Sequence, residues 1–425
     1  MRQSLTTAGP EPRTAEPQRR RAGTGRTGDA VGLAAAGMSL IAVCYGLARF
    51  AYGLFVPAFR AEFHLGAATA GAVAAGSYAG YCVAIVVATL ATSRWGARPV
   101  AVAAGACATA GTAVIASAPG TVVLALGVVL AGSSTGLASP PMAEAVARSA
   151  PSRLEPRMQA VVNAGTGLGV LVSGPVALLF AGSWRWAWAA FSALAFAITL
   201  CVWFTVPRRV RHTDRPAGPA AQDGPVASAG DSPEGQGRGA LRAGTRIPPG
   251  GWRLLAAAFS MGLASAVTWT FGRDLVTAAG NSALTGVTMW IALGAAGLLG
   301  AFAGDLTTRI GPARCWTGGM LLLGASTAAL ALAAGSAVVA VAVGAAFGAL
   351  YIGLTGLLLI WGTRILPRRP VVGVGAAFLF LAFGQAVGAP VLGAVSDAVT
   401  LPGAFLVTAA VAVLGAVIRP RPLQG

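Results

Sequence analysis

Residues 31–57 read VGLAAAGMSLIAVCYGLARFAYGLFVP, a run of 27 positions with one charged side chain, Arg49. An apolar run of this length crosses the ~30 Å hydrocarbon core of a bilayer as a single helix. Eleven more apolar runs follow, at 66–91, 99–117, 121–146, 158–181, 186–206, 253–278, 284–304, 315–334, 337–362, 371–395 and 399–418. The sequence therefore predicts an all-α polytopic membrane protein with twelve transmembrane helices.

The composition of the chain indicates the same class. Of the 425 residues, 56% are hydrophobic and only 10% are charged, and the mean hydropathy is +0.72. Soluble domains carry about 25% charged residues, so the chain is too apolar for a soluble or disordered protein. Its 59 glycines follow no G-X-Y period, which excludes a collagen-like fibre.

All 30 basic residues are Arg, and the net charge is +17. Without Lys, the chain lacks the phosphate-binding Lys of a P-loop ATPase and any Schiff-base Lys. His64 and His212 lie outside the apolar runs, and the five Cys lie inside them without metal-ligand spacing. The sequence therefore predicts no cofactor, no metal site and no enzymatic activity. The apolar composition also argues against a nucleic-acid partner, despite the net charge.

The distribution of Arg predicts the orientation. With the N-terminus in the cytoplasm, 26 of the 30 Arg residues lie on the cytoplasmic side, as the positive-inside rule requires. The exceptions are Arg49, Arg60, Arg185 and Arg273. We therefore expect a multi-pass protein of the inner (cytoplasmic) cell membrane with both termini inside.

The polar segments divide the chain. Residues 1–30 are predicted to form a disordered cytoplasmic tail, and 419–425 a short cytoplasmic tail. Residues 207–252 are rich in Pro and Gly, which is typical of a flexible linker. This linker would separate two six-helix bundles, at 31–206 and 253–418.

The two halves resemble each other. A shift of 215 residues superimposes Arg94 on Arg309, Gly96 on Gly311, Gly120 on Gly335, Arg153 on Arg368, Gly169 on Gly384, and Pro175 on Pro390. Parallel six-helix repeats are typical of transporters whose halves rock about a central substrate site.

The loop Ser93-Arg94-Trp95-Gly96-Ala97-Arg98 resembles the G-x-x-x-D-R-x-G-R-[RK] signature of the major facilitator superfamily, with Ser93 at the position of the acid. Gly304 and the run Thr308-Arg309-Ile310-Gly311 resemble it again in the second half. The resemblance implies the fold of that superfamily and gating loops that contain Ser93, Arg94, Gly96, Arg98, Asp305, Arg309 and Gly311.

Two shorter stretches resemble particular branches of this superfamily. The run Gly46–Tyr52 with Pro57, followed by Gly80-Tyr81, resembles the YbfB/YjiJ-type bacterial permeases. Gly174-Pro175 in the fifth helix resembles part of an antiporter signature, which implies exchange of the substrate for another solute. Gly174, Pro175 and Pro390 would let their helices bend, although ordinary close packing also explains such residues.

Arg49 is the first candidate for substrate binding. Counted from the predicted start of its helix, it lies about 28 Å up, in the outer half of the membrane. Intramembrane charges are costly and usually functional, so Arg49 is expected to face a cavity, where it attracts an anionic or strongly polar substrate or holds a hydrogen-bond network. The alternatives are snorkelling to the outer interface and pairing with an acid.

The acids are candidates for proton coupling. Glu144 lies near the cytoplasmic end of the fourth helix, whereas Asp274 matches the expected height of Arg49 but has Arg273 beside it. Glu144 and Asp274 are therefore the two candidates. Solvated charges at helix ends or in loops are expected for Asp305, Asp397 and Glu62.

Polar and aromatic side chains on other helices complete the predicted substrate site. They are Tyr45, Tyr52, Asn163, Trp269, Tyr351 and Gln385. Pockets for small molecules combine aromatic walls with a few polar anchors, although each aromatic residue alone is also explained by packing. The amide of Gln385, among Gly and apolar residues, needs a hydrogen-bond partner in a helix or a ligand.

These features together predict a secondary transporter of small organic solutes that works by alternating access. Proton-coupled efflux of a drug-like or metabolite molecule is the first hypothesis, and proton-driven or facilitated uptake is the alternative. A membrane-embedded enzyme or a sensor is the alternative of another class. The predicted partners are the substrate, the lipid bilayer and protons, and a monomer contains both halves.

Overall fold

The computed structural model describes residues 30–150, 154–207, 250–366 and 370–420, and these ranges contain helices and no strands. The helices are α1 (Ala30–Phe63), α2 (Ala67–Trp95), α3 (Ala97–Ala116), α4 (Thr121–Ser149), α5 (Glu155–Leu179), α6 (Trp184–Thr205), α7 (Gly251–Ala278), α8 (Ala283–Ile310), α9 (Pro312–Ala333), α10 (Ala337–Ile365), α11 (Pro370–Ala398) and α12 (Leu401–Gly415). Eleven are long and apolar enough to cross a membrane, and α12 is an apolar helix of 15 residues. The predicted all-α polytopic architecture is confirmed.

The predicted tail at 1–30 and linker at 207–252 lie almost entirely outside the described residues, and most of the tail at 419–425 does too. The predicted domain boundaries therefore stay predictions. The helix α7 begins at Gly251, inside the predicted end of the linker.

The first helix is longer than the sequence predicts. It continues through Pro57 and ends at Phe63, where His64 adopts a left-handed conformation with φ of 52°. Proline inside a helix removes one backbone hydrogen bond, and neighbouring groups in a membrane bundle can satisfy the carbonyls near it. Here the side chain of Arg273 on α7 donates a hydrogen bond to the carbonyl of Leu54, in the turn before Pro57.

The middle of α1 is a π-helical segment, Ala42–Phe50, in which every residue is buried. Short π-helical segments are rare and occur frequently at functional sites. Gly46 in this segment lies against α5, where a Cβ atom would overlap the backbone of Gly169. Arg49 and Tyr45 project from this irregular stretch.

The helix ends repeat with the 215-residue offset of the sequence. Helices α1 and α7 end at Phe63 and Ala278, and helices α2 and α8 end at Trp95 and Ile310. The following residues, Gly96 and Gly311, each have a φ of 87°. The two halves, α1–α6 and α7–α12, therefore share their helix spacing and their turn geometry.

The contacts between the halves follow this repeat. Helix α1 packs on α7, α2 on α11, and α5 on α8. The offset relates α2 to α8 and α11 to α5, so the α2–α11 and α8–α5 contacts are equivalent. The α1–α7 contact is equivalent to itself. This pattern is that of a pseudo-twofold axis between two six-helix bundles.

The ends of the bundle are called the distal face, which carries the α1–α2 loop at residues 64–66, and the proximal face, where α1 begins and α6 ends. Towards the distal face the halves meet through glycines. A Cβ atom at Gly53 of α1 would overlap the carbonyl of Trp269 on α7, and one at Gly71 of α2 would overlap that of Ala389 on α11. These positions need glycine because the backbones approach so closely.

Polar contacts close the distal face further. Arg60 on α1 forms an ion pair with Asp274 on α7. The carboxylate of Asp397, at the end of α11, accepts hydrogen bonds from the first amides of α2, Ala67 N at 3.1 Å and Ala68 N at 2.7 Å. In the described ranges, the polar contacts between the halves lie at the distal face or at mid-height. The bundle is therefore closed distally.

Candidate functional site

A pocket lies between the two halves, at mid-height and towards the proximal face. The N-terminal half contributes α1, α2 and α5 to its wall, and the C-terminal half contributes α10 and α11. The lining residues are Tyr45, Arg49, Phe50, Tyr81, Asn163, Thr166, Tyr351, Ile352, Thr355, Phe378, Leu381 and Ala382. Neither half forms this pocket alone.

A hydrogen-bonded chain crosses the pocket region from one half to the other. Nη2 of Arg49 donates to Oε1 of Gln385 on α11 at 2.6 Å. Nε2 of Gln385 donates to the hydroxyl of Tyr351 on α10 at 3.2 Å and, more weakly, to that of Ser265 on α7 at 3.4 Å. The partner that the Gln385 amide needs is thus provided by three neighbouring side chains.

Arg49 lies a little past the middle of the 34-residue helix α1, which continues to Phe63. Its predicted depth in the outer half of the membrane stays a prediction. Its side chain is buried, with 5% of the residue exposed, so it does not snorkel to an interface. Among the described residues, no acidic side chain forms an ion pair with it.

Four aromatic rings surround the guanidinium. Its central carbon lies 4.6 Å from the ring centre of Tyr78, 4.7 Å from Tyr81, 5.0 Å from Phe50 and 5.9 Å from Tyr45. Aromatic faces at this range attract a cation. Sequence reasoning missed Tyr78, Tyr81 and Phe50 as members of the site. The spacing of three between Tyr78 and Tyr81 on one helix was the available signal.

The other predicted binding residues divide into two groups. Tyr45, Asn163 and Tyr351 line the pocket, and the Tyr45 hydroxyl lies 2.7 Å from that of Ser139. Trp269 stays outside the lining and stacks on Phe50, with 3.8 Å between ring centres.

Tyr52 does not line the pocket either. Its hydroxyl donates to the carbonyl of Ala70 on α2 at 2.9 Å. Tyr52 therefore packs α1 against α2, three residues beyond Arg49.

The two candidate proton-coupling acids lie far from Arg49. Glu144 forms an ion pair with Arg148 at 3.0 Å near the proximal end of α4. Asp274 pairs with Arg60 near the distal face. The expected competition from Arg273 is wrong, because that side chain binds the Leu54 carbonyl instead.

Two acids that were expected to be solvated are engaged in contacts. Glu62 accepts a hydrogen bond from Nε1 of Trp184 at 2.5 Å and pairs with Arg185 at 2.7 Å. Asp397 caps α2, as described above. Both residues are nevertheless exposed at helix ends, as the sequence predicts.

The predicted gating residues lie at the proximal ends of helices. Ser93 and Arg94 lie in the last turn of α2, and Arg98 in the first turn of α3 donates to the carbonyl of Val206, directly after α6. Asp305 and Arg309 lie in the corresponding last turns of α8. Gly96 and Gly311 form the two turns. The gating role of these residues stays a prediction.

The predicted helix-bending residues lie at contacts between the halves. A Cβ atom at Gly174 of α5 would overlap the side chain of Ile291 on α8. Pro175 follows within α5. Pro390 lies inside α11, beside the contact with Gly71 of α2. Bending at these positions stays a prediction.

Two helical bundles around one shared pocket define a polytopic membrane protein with a central pocket. The family model of the Major Facilitator Superfamily matches residues 38–371, well over half of the chain. The chain belongs to this superfamily, which is a family of membrane transporters. No curated protein matches the sequence.

Proposed function

We propose that this transporter moves small organic solutes by alternating access, with the pocket at Arg49 as the substrate site. The observation that carries the proposal is the pocket itself, which is built from both halves and is lined by Arg49, whose side chain donates a hydrogen bond to Gln385 of the other half. A site shared between two rigid bundles changes its accessibility when one bundle rocks against the other.

The distal contacts support this mechanism. The halves meet distally through glycines and through the Arg60–Asp274 pair, while the pocket lies on the proximal side of these contacts. Substrate would enter and leave proximally in this state. Rocking would separate α1 from α7 and α2 from α11, and would open the pocket distally.

We propose efflux in exchange for protons as the direction of transport. The antiporter-like Gly174-Pro175 supports exchange, and the predicted orientation would make the proximal face cytoplasmic. Of the two candidate acids, Asp274 is favoured because it pairs across the two halves, whereas Glu144 pairs within its own helix. Uptake is the alternative, with the same pocket and the opposite gradient.

The remaining assignments go with this proposal. We place the chain in the inner cell membrane, in the YbfB/YjiJ-type branch, as a monomer that functions without a catalytic activity. An enzyme or sensor in the membrane is the alternative of another class, and it predicts turnover or signalling without solute flux.

Alternating access is tested with two spin-label pairs in a Cys-free background. Trp95 and Ile310 are exposed and related by the repeat at the proximal face, and Ala61 and Ala279 are exposed at the distal face. In proteoliposomes, we expect two distances for each pair and opposite shifts when a transported solute is added. A single unchanging distance at both faces would contradict alternating access.

Transport itself is tested by counterflow in proteoliposomes without ATP, over a panel of labelled metabolites and antibiotics. We expect at least one solute to exchange, and its accumulation to respond to a protonophore. Exchange that is independent of the proton gradient would support a carrier and contradict proton coupling. Turnover of a solute without flux would favour the enzyme.

A further inference from the structure

We infer that the substrate is an organic monoanion, a carboxylate or sulfonate on an apolar or aromatic body, and that its anionic group binds Arg49. This inference rests on the proposed function, because it names the chemistry of the solute that the pocket carries. It follows from the charge balance, the open hydrogen-bonding capacity of Arg49 and the wall of the pocket.

The charge balance comes first. Arginine side chains carry a positive charge in proteins, and the side chain of Arg49 is buried. Within the described ranges, its side-chain acceptor is the neutral amide oxygen of Gln385, and it has no carboxylate partner. A buried charge is stable only when it is paired or otherwise compensated. An anionic ligand would supply the missing opposite charge.

The hydrogen-bonding capacity of Arg49 points the same way. Its Nε is buried and has no hydrogen-bond partner among the described residues, whereas Nη2 on the same edge of the guanidinium binds Gln385. A carboxylate or sulfonate binds such an edge with two parallel hydrogen bonds. It would engage the unpaired Nε and replace the Gln385 oxygen on Nη2.

The wall of the pocket limits the rest of the ligand. Among the residues that the structure describes, no other charged side chain lines the pocket, and most of the remaining wall is apolar or aromatic, as at Phe50, Ile352, Phe378 and Leu381. A second negative charge on the ligand would be buried without a partner, and a cation would face Arg49 directly. One anionic group on an apolar body satisfies both conditions.

The surrounding rings stabilise the guanidinium whenever no ligand is bound. Tyr45, Phe50, Tyr78 and Tyr81 present their faces to the guanidinium and compensate part of its charge. They cannot supply bidentate acceptors, so an oxyanion remains the better partner. The site can therefore release its ligand and return empty.

The test uses matched probes on the purified full-length transporter. Phenylacetate, its neutral amide phenylacetamide, and phenethylammonium share an aromatic body and differ in charge, and benzenesulfonate with benzenesulfonamide forms a second set. Binding is measured in detergent as the shift of the melting temperature with probe concentration. We expect the two anions to raise the melting temperature and the neutral and cationic probes to leave it unchanged.

Variants connect the effect to Arg49. Arg49→Gln should weaken anion binding at least tenfold, and Arg49→Lys should weaken it less, because Lys keeps the charge but loses the planar fork. Arg314→Gln removes an exposed Arg from the first turn of α9 and serves as the matched control. Gel filtration establishes that each variant is folded.

The outcomes separate this inference from the proposed function. Equal stabilisation by the amides, no stabilisation by either anion, or anion binding by a folded Arg49→Gln protein would overturn the inference. Counterflow of neutral solutes would support the proposed transport function and contradict the inference that the substrate is a monoanion. Arg49-dependent binding of anions without counterflow would support the anion site and contradict the proposed transport function.

Discussion

Arg49 and Gln385 are 336 positions apart in the chain, yet a 2.6 Å hydrogen bond joins them at the centre of the bundle. Arg49 belongs to the N-terminal half and Gln385 to the C-terminal half. The side chain that provides the charge of the site therefore also links the two halves. A ligand that competes for Arg49 must alter this link.

Gln385→Glu should block the site. It places a carboxylate at the position of the amide, so Arg49 acquires an internal counter-ion. We expect binding of phenylacetate to weaken by tenfold or more, because the ligand would have to displace a charge-assisted pair. The measurement is the melting-temperature titration described above.

Gln385→Leu is the companion to that variant. It removes the acceptor without adding a charge, so anion binding should be kept or strengthened while the unliganded protein loses stability. Equal anion affinity in the Glu variant and the natural protein would show that Gln385 and the ligand do not share Arg49.

The Arg60–Asp274 pair should hold the distal face closed. Its side chains are 30% and 11% exposed, so we expect a contribution on the order of 1 kcal/mol, which corresponds to about a fivefold change in population. Asp274→Asn should shift the Ala61–Ala279 label distance towards the longer value. The exchange Arg60→Asp with Asp274→Arg should restore the original distribution, and failure to do so would assign the effect to something other than the ion pair.

Gly53→Val should impair distal closure. Any Cβ atom at this position overlaps the carbonyl of Trp269 across the α1–α7 contact. We expect counterflow to fall at least tenfold while the protein still inserts and purifies normally. Gly32→Val in the same helix is the control, since a Cβ atom there meets nothing within 4 Å. Normal transport by the Gly53 variant would show that the transport cycle does not need this close contact between α1 and α7.

Gly96→Ala and Gly311→Ala should destabilise the protein to a similar extent. Both glycines have a φ of 87° with extended ψ values of 174° and 149°, a region that costs other residues about 1–3 kcal/mol. Melting curves in detergent measure the loss, and Gly318→Ala, in open space on α9, is the control. Unequal losses of melting temperature would show that the two proximal turns contribute differently to the stability of the protein.

Most of the fold could be predicted because lipid imposes a simple rule. Each span must be a continuous apolar helix, so the runs in the sequence mark the helices directly. The predicted end of the first span at Pro57 is the exception, because the helix continues to Phe63 and Arg273 from another helix binds a carbonyl near the proline. A contact between residues 219 positions apart leaves no local signal in the sequence.

The site was only partly predictable for the same reason. Arg49 and Gln385 stand out individually, as a charge and an amide in apolar surroundings. Their mutual contact depends on how α1 and α11 pack, which the sequence does not show. Tyr78 and Phe50 belong to the site because their rings face Arg49. Arg49 and Phe50 lie in the π-helical segment, where side-chain directions depart from the regular 3.6-residue spacing.

The glycine contacts between the halves have a mechanical meaning. At Gly53, Gly71 and Gly393 one backbone rests directly on the other, without interlocking side chains between them. At such a contact the helices can slide or separate without withdrawing side chains from grooves or changing their rotamers. The resistance to separation would then come from the few polar contacts at the distal face, so changes in those contacts would alter the rate of the transport cycle.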